Sequence, residues 1–574
     1  MAARIFCILL RLGGCILRIV FLLSGKIRII AHLNRIHHEI VWKTYSLRTP
    51  CRHFCRLIQN ASAQNPYLPL WEHIPDGEPY VFEDPDRPGE YRVYIYGSHD
   101  SLKESFCGRE QVVWSAPVDD LCNWRYDGII FKSVYDRDGN LLNASGEGDV
   151  LFAPDVTERV ENGRKVYYLY PNTQAGGRNS MMAKSLRPDG PFEVFNWSKD
   201  DPKRTEGVLG FDPAVFVDDD GRVYGYWGFE KSWAAELDPV TMATVKSGTE
   251  IVNLVPSNLE DKVFRFFEAS YLRKIEDKYV FVYSRWTNEG EFGLPSSNFT
   301  LAYAYGDHPL GPYTYGGTII DGRARGIDEQ GNAIRTAYPS GNTHGSICEI
   351  NGKWWVFYHR QAGLNEYCRQ AMVAPIEVKV ENGPGGKVYI SEGEVTSESF
   401  ATEGLDPFVN TPAGIACHMT GPEQAYATYP NYHFSGSYLK ATYLDTESYA
   451  GPFNQKIPDS PVVNNTSGSI VGYKYFNLDK TRKCEDLLLE FLMVPGGWEG
   501  ELVIMLDSPY ESKGGKVVGT LRLDPSMPQE MAEIQTKVDF GKAKGKHALY
   551  FVFRSKVKGK SLCDLYSFRF REGR

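Results

Sequence analysis

The stretch Lys165-Val166-Tyr167-Tyr168-Leu169-Tyr170 decides how the chain is read, because it comes back. Variants stand at Tyr91-Arg92-Val93-Tyr94-Ile95-Tyr96, at Arg222-Val223-Tyr224-Gly225-Tyr226-Trp227, at Lys278-Tyr279-Val280-Phe281-Val282-Tyr283 and at Lys353-Trp354-Trp355-Val356-Phe357-Tyr358. Each is a basic residue followed by aromatic and β-branched residues, the composition of a strand inside a packed sheet. The basic residues lie about 56 to 75 positions apart, a blade-like repeat. Turn signals separate the strands: Asp138-Gly139-Asn140, Glu161-Asn162-Gly163, Asp218-Asp219-Asp220-Gly221 and Ile350-Asn351-Gly352. The run at 218–221 resembles part of a calcium loop but lacks the bidentate Glu, so it is read as a hairpin. A second echo, Asp189-Gly190-Pro191-Phe192 and Leu310-Gly311-Pro312-Tyr313, marks the ends of third strands.

Upstream of each copy stands a titratable residue. Asp76, Asp155, Asp212, Glu268 and His344 precede the basic residue by 16, 10, 10, 10 and 9 positions, in short apolar or Pro-containing runs such as Phe152-Ala153-Pro154-Asp155 and Phe266-Phe267-Glu268. A lone Asp beside Pro ordinarily opens a turn. Five in register predict five innermost strands converging on one axis, a five-bladed β-propeller with its chemistry at the hub.

At 574 residues the chain is long enough for two or more domains. Its aromatic content of 13% suits β-structure and sugar-stacking surfaces. The net charge of −9 conceals an asymmetry, since residues 1–60 carry Lys and Arg but a single acid, Glu39. The remainder is strongly acidic, which argues against a nucleic-acid partner and is compatible with a neutral substrate. The cysteines beyond residue 60 (Cys107, Cys122, Cys348, Cys368, Cys417, Cys484, Cys563) are scattered and odd in number, without metal-ligand spacing. They fit a reducing compartment better than a disulfide framework, which favours a cytoplasmic location over a membrane-anchored or secreted one.

Residues 1–64 differ from the rest. Apolar runs there are broken by Arg11 and Arg18, and none reaches the length of about 20 residues that spans a bilayer. The reading favoured is an N-terminal extension outside the functional fold, with an atypical anchor or a basic amphipathic segment as alternatives. Residues 65–390 are expected to form the propeller. Beyond the Gly/Pro-rich stretch near 381–405, short alternating strands over 405–574 predict a β-sandwich. The fold class is therefore all-β.

At these motifs the sequence resembles family 43 of the glycoside hydrolases over about residues 65–390. The carrying residues are Ile74-Pro75-Asp76-Gly77-Glu78, Ala153-Pro154-Asp155-Val156, Asp212-Pro213-Ala214-Val215-Phe216 with Asp218–Gly221, Phe266-Phe267-Glu268, and Gly341-Asn342-Thr343-His344-Gly345-Ser346. Two departures, Gly77-Glu78 after the first acid and Ala269-Ser270 after Glu268, put the substrate in doubt and leave the reaction class standing. The C-terminal region, ending in Gly545-Lys546-His547-Ala548-Leu549-Tyr550-Phe551-Val552-Phe553, resembles family 6 carbohydrate-binding modules less specifically.

The resemblance implies an inverting hydrolase that removes terminal arabinofuranosyl or xylosyl units from plant-type oligosaccharides or polysaccharides. In this reading Asp76 is general base, Glu268 general acid, and Asp155 orients Glu268 and raises its pKa. No cofactor is required for the chemistry, and the axis beside His344 is a place for a metal, Ca2+, or a water. Asp212 lines the hub or caps the turn at Pro213, both readings being open from the residues alone. Trp114, Trp227 and Trp286 are expected as sugar-binding residues among a mostly buried aromatic set, and Arg335 as a partner for a sugar hydroxyl or as a surface residue. Galactosidase specificity and a non-catalytic glycan-binding propeller are the competing functions.

Overall fold

The computed structural model describes residues 6–12, 15–22 and 26–32 by their backbone, and residues 64–442, 460–484 and 486–573 in full save the side chains of 482 and 483. Residues 1–59 and 60–574 are two compact units. In the first, strands Phe6–Leu12, Cys15–Leu22 and Lys26–His32 pair antiparallel. The rest of the basic extension lies outside the described residues. Among the described residues no helix is long and apolar enough to cross a membrane.

The second unit is almost entirely β. Four four-stranded antiparallel sheets follow one another: Glu78–Glu83 to Arg125–Phe131, Asp155–Glu161 to Glu193–Val194, Ala214–Val217 to Val252–Asn253, and Phe266–Ile275 to Thr314–Asp321. A three-stranded sheet, Ile347–Ile350, Lys353–Gln361 and Arg369–Ile376, is the fifth. The first strands of the second, third and fourth sheets pack on one another, and the first strand of the fifth touches that of the first. These are the five blades of a propeller.

The repeated aromatic phrase is the second strand of each blade, and its composition now has a cause. A blade is covered on both faces, so alternate side chains enter two different cores. Val93 and Ile95 face one cluster while Tyr94 and Tyr96 face the next. Tyr167 and Leu169 join that second cluster, whereas Val166, Tyr168 and Tyr170 enter the one shared with the third blade. Trp355 and Phe357 of blade five meet Val93 and Ile95 of blade one, closing the ring. The chain just before blade one adds to the closure: Asn65 Nδ2 donates to the carbonyl of Val373 at 2.6 Å, and the Val373 amide donates back to Asn65 Oδ1 at 3.1 Å.

The turn at 218–221 is a hairpin, as its sequence predicts. The Asp218 carboxylate receives Lys274 Nζ at 2.8 Å and the Tyr279 hydroxyl at 2.6 Å. The cysteines beyond residue 60 are all free.

The C-terminal region is a sandwich-like sheet folded onto itself. Ile470–Asn477, Lys546–Arg554, Gly500–Leu506 and Lys516–Leu523 form one layer; Ala532–Val538, Leu487–Pro495 and Cys563–Glu572 form the other. Period-two alternation fills the space between them with Leu489, Phe491 and Met493 against Leu549, Phe551 and Phe553. A short hairpin, Tyr426–Thr428 and Asn431–His433, stands apart from these layers.

Candidate active site

Each of the five titratable residues lies at or just before the innermost strand of its blade, and each is buried. Asp76 and Asp212 have left-handed backbone, φ 60° and 48°, two residues ahead of the strand. Non-glycine residues rarely adopt that conformation, and Asp tolerates it better than most. Glu268 sits in a β-bulge: the register shifts on either side of it, and Ala269 has φ 64°. A bulge re-aims a side chain that regular pleating would fix.

Asp76 is held by cations. Arg369 Nη1 donates to its Oδ1 at 3.0 Å, and the Ser98 hydroxyl donates to Oδ2. Arg369 is in turn clamped by Asp100, with Nε on Oδ2 at 2.9 Å and Nη2 on Oδ1 at 2.8 Å, a bidentate pair that fixes the guanidinium. Burial pushes the Asp76 carboxyl up, but Arg369, His359, His344 and the Ser98 bond together hold it below the usual carboxylate value. Asp76 is therefore ionised.

Glu268 is in the opposite state. Its Oε1 accepts from Asn342 Nδ2 at 3.2 Å, and among the described residues no guanidinium or ammonium forms an ion pair with it. Burial, then the negative charge of Asp212, lift its pKa to about 8. A chain of contacts spans the two carboxylates. The Asp76 amide donates to His359 Nδ1 at 3.3 Å, and His359 Nε2 lies 2.9 Å from the Asn342 carbonyl. His359 is thus neutral with its proton on Nε2, in line with burial lowering its pKa to about 3.

The structure corrects the expectation that Asp155 adjoins Glu268. The Asp155 oxygens accept from the Tyr80 hydroxyl and, at 2.7 Å, from the Val215 amide. Its charge is not among the main influences on Glu268. The ring explains this: blade three, not blade two, lies next to blade four. The carboxylate beside Glu268 is Asp212, whose Oδ2 accepts from the Ala269 amide at 3.2 Å and whose Oδ1 accepts from Asn172 Nδ2 at 3.0 Å. Asp212 lines the hub.

His344 lies between two carboxylates, with Nδ1 3.5 Å from Asp212 Oδ2 and Nε2 3.4 Å from Glu78 Oε1. Burial lowers its pKa, but Asp212, Glu78 and Asp76 outweigh that and raise it to about 9. Calcium takes about six to eight oxygen ligands. Here both ring nitrogens of His344 face carboxylates, and the two buried Glu78 oxygens have no hydrogen-bond partner among the described residues. Among the described residues no three His, Cys, Asp or Glu side chains form a metal-binding group.

Two of the expected sugar-binding tryptophans belong to blade cores. Trp114 is buried against Trp71, and its Nε1 donates to Glu72 Oε2 at 2.8 Å. Trp227 is buried among Leu209, Val223 and Leu237. Arg335 is drawn away by backbone carbonyls, with Nη2 on Ala425 at 3.0 Å, which ties the propeller to the C-terminal region. Trp286 stands nearer the site, edge-on to Phe267 at 5.7 Å, and its half-buried ring has no partner for Nε1 among the described residues.

Sequence reading missed Arg369, Asp100, Ser98, His359 and Asn342. A signal existed for His359: polar His359-Arg360-Gln361 ends an otherwise apolar strand.

The comparisons with known proteins agree with this architecture. The sequence profile of glycosyl hydrolases family 43 matches residues 87–384. A xylosidase/arabinosidase of Thermoclostridium stercorarium is 32% identical over 524 residues, 87% of this chain and 98% of that protein. A β-xylosidase of Xylanibacter ruminicola is 29% identical, covering 39% of this chain and 70% of its own length. An arabinoxylan arabinofuranohydrolase of Bacillus subtilis (strain 168) is 25% identical over 83% of this chain and 85% of that one. With its five blades and a buried carboxylate hub, this chain belongs to family 43 of the glycosyl hydrolases.

Proposed function

We propose that the protein removes terminal α-L-arabinofuranosyl or β-D-xylosyl residues from plant-type glycans by an inverting mechanism, with Asp76 as general base and Glu268 as general acid. One observation carries the reading: two buried hub carboxylates are driven to opposite protonation states. Arg369 keeps Asp76 charged, while burial and Asp212 keep Glu268 protonated. Such a divided pair is what acid–base cleavage needs. The activities named for the relatives above support the choice of sugars.

In this scheme Glu268 gives its proton to the glycosidic oxygen as the bond to the anomeric carbon breaks. Asp76 takes a proton from water as the water oxygen bonds to the opposite face of that carbon. The aglycone leaves as an alcohol and the sugar appears with inverted configuration. Asp212 has the task of holding the proton on Glu268, and His344, charged beside Asp212, steadies that carboxylate. Asp155 ties blade one to blade three through Tyr80 and Val215.

The test is hydrolysis of aryl α-L-arabinofuranoside, aryl β-D-xyloside and aryl galactoside by the full chain, with Glu268→Gln beside it on arabinoxylan. Cleavage of one of the first two, with polymer turnover lost in the variant, is expected. Turnover of the galactoside alone would replace the sugar assignment, and unimpaired polymer turnover in Glu268→Gln would remove the acid.

A further inference from the structure

The hairpin Tyr426–Thr428 and Asn431–His433 stands off the sandwich layers and lies on the propeller. The Tyr432 amide donates to the Leu364 carbonyl at 2.9 Å, and the Glu366 amide donates to the Pro430 carbonyl at 3.0 Å. The Tyr432 side chain is buried against Tyr338, and its hydroxyl donates to the Ser340 carbonyl at 3.0 Å, two residues before Asn342. One face of the hairpin thus braces the segment that carries the partner of Glu268.

On its other face, Tyr426 is 59% and Tyr429 71% exposed, three residues apart on one short hairpin. Tyr426 is held flat against His433, rings 4.6 Å apart and 19° from parallel. Tyr429 interacts through its hydroxyl with Tyr367 on the propeller loop. Tyr367 meets Phe106 edge-on at 4.9 Å, and Phe106 lies under the Arg369 guanidinium, 4.9 Å away. Arg369 is the residue that grips Asp76. A line of rings therefore runs from the Arg369 guanidinium through Phe106 and Tyr367 to Tyr429, and the exposed Tyr426 stands on the same hairpin.

We infer that Phe106, Tyr367, Tyr429 and Tyr426 form a stacking track for the main chain of the branched glycan from which the hub removes a single sugar. Pyranose faces are apolar C–H surfaces that lie flat on aromatic rings, and Tyr combines such a face with a polar tip suited to a wet rim. The hub carboxylates are deeply buried and suit one sugar, whereas the track is open and flanks it. The neighbouring propeller loop also exposes Leu364, which adds apolar surface beside the track. In this arrangement the C-terminal region acts in substrate recognition at the active site itself. The inference rests on the glycan-hydrolase reading above.

The experiment compares wild type with the double variant Tyr426→Ala/Tyr429→Ala, both as full chains. Hydrolysis of the aryl glycoside is expected to stay within about twofold, while KM for arabinoxylan rises about tenfold with kcat little changed, the loss of roughly one good aromatic contact per chain bound. Tyr426→Trp/Tyr429→Trp should restore the KM. Titration of xylohexaose into Glu268→Gln, with and without the two alanines, reads the track without turnover and should show the same loss. An unchanged KM for arabinoxylan together with unchanged xylohexaose affinity overturns the track. Absence of aryl-glycoside hydrolysis in wild type would instead overturn the hydrolase assignment, while the xylohexaose titration still decides the track.

Discussion

Arg369 offers the sharpest perturbation of the base. Its Nη1 lies 3.0 Å from Asp76 Oδ1, which places the guanidinium charge roughly 4 Å from the carboxylate. At an effective dielectric constant near 20, two unit charges at about 4 Å interact by about 4 kcal/mol. With about 1.36 kcal/mol per pKa unit, that sets a ceiling of roughly three units on how far Arg369 depresses Asp76. Asp100 cancels part of this, because its own charge sits on the same guanidinium. Removing Arg369 alone would also leave Asp100 buried and unpaired, a loss of about 3–5 kcal/mol of stability. The double variant Arg369→Gln/Asp100→Asn avoids that and removes a neutral pair. Without the pair, burial dominates and the Asp76 pKa rises. Because the base works only when ionised, the acidic limb of the kcat/KM profile on an aryl glycoside moves up in pH by the same amount. The alkaline limb, set by Glu268, stays in place. A folded double variant whose acidic limb moves by less than about 0.3 units would refute the reasoning.

Other expectations follow from the same geometry. Glu268→Gln should lower kcat on natural glycans by about 10²–10⁴-fold, and less on aryl glycosides whose leaving groups need little protonation; parallel kinetics on both substrates check this. Asp212→Asn removes the negative charge beside Glu268, so the Glu268 pKa falls from about 8 and the alkaline limb shifts to lower pH. Asp155→Asn should leave that limb where it is and instead lower stability by about 1–3 kcal/mol in a denaturant melt, since it weakens the bonds to Tyr80 and Val215. Dialysis against EDTA should leave kcat/KM within about twofold of the untreated enzyme, because proton transfer by Asp76 and Glu268 calls on no metal ion.

The propeller was legible because its physics is local. Strands covered on both faces need apolar residues at every position, so phrases such as Val166–Tyr170 announce themselves without regard to what lies across the ring. Their register also exposed the hub residues, since in four of the five blades the hub residue stands nine or ten positions before the basic residue of the aromatic phrase. What register does not convey is which hub residues are neighbours. Asp155 and Asp212 stand at the same offset in their repeats, and only the order of blades around the axis places Asp212 beside Glu268. Arg369 escaped notice for a similar reason: it reaches Asp76 from 293 residues away, through ring closure. The tryptophans failed differently. Composition does not separate a ring that fills a blade, as Trp114 and Trp227 do, from one that packs edge-on to the residue before Glu268, as Trp286 does.

The account turns on Asp76 activating water while Glu268 protonates the leaving group, and the anomer released first reports on that directly. Proton NMR during hydrolysis of an aryl β-xyloside or α-arabinofuranoside, recorded before mutarotation, should show the sugar with inverted configuration. A product that appears first with retained configuration would mean a covalent glycosyl intermediate, and would contradict the assignment of Asp76 as a general base.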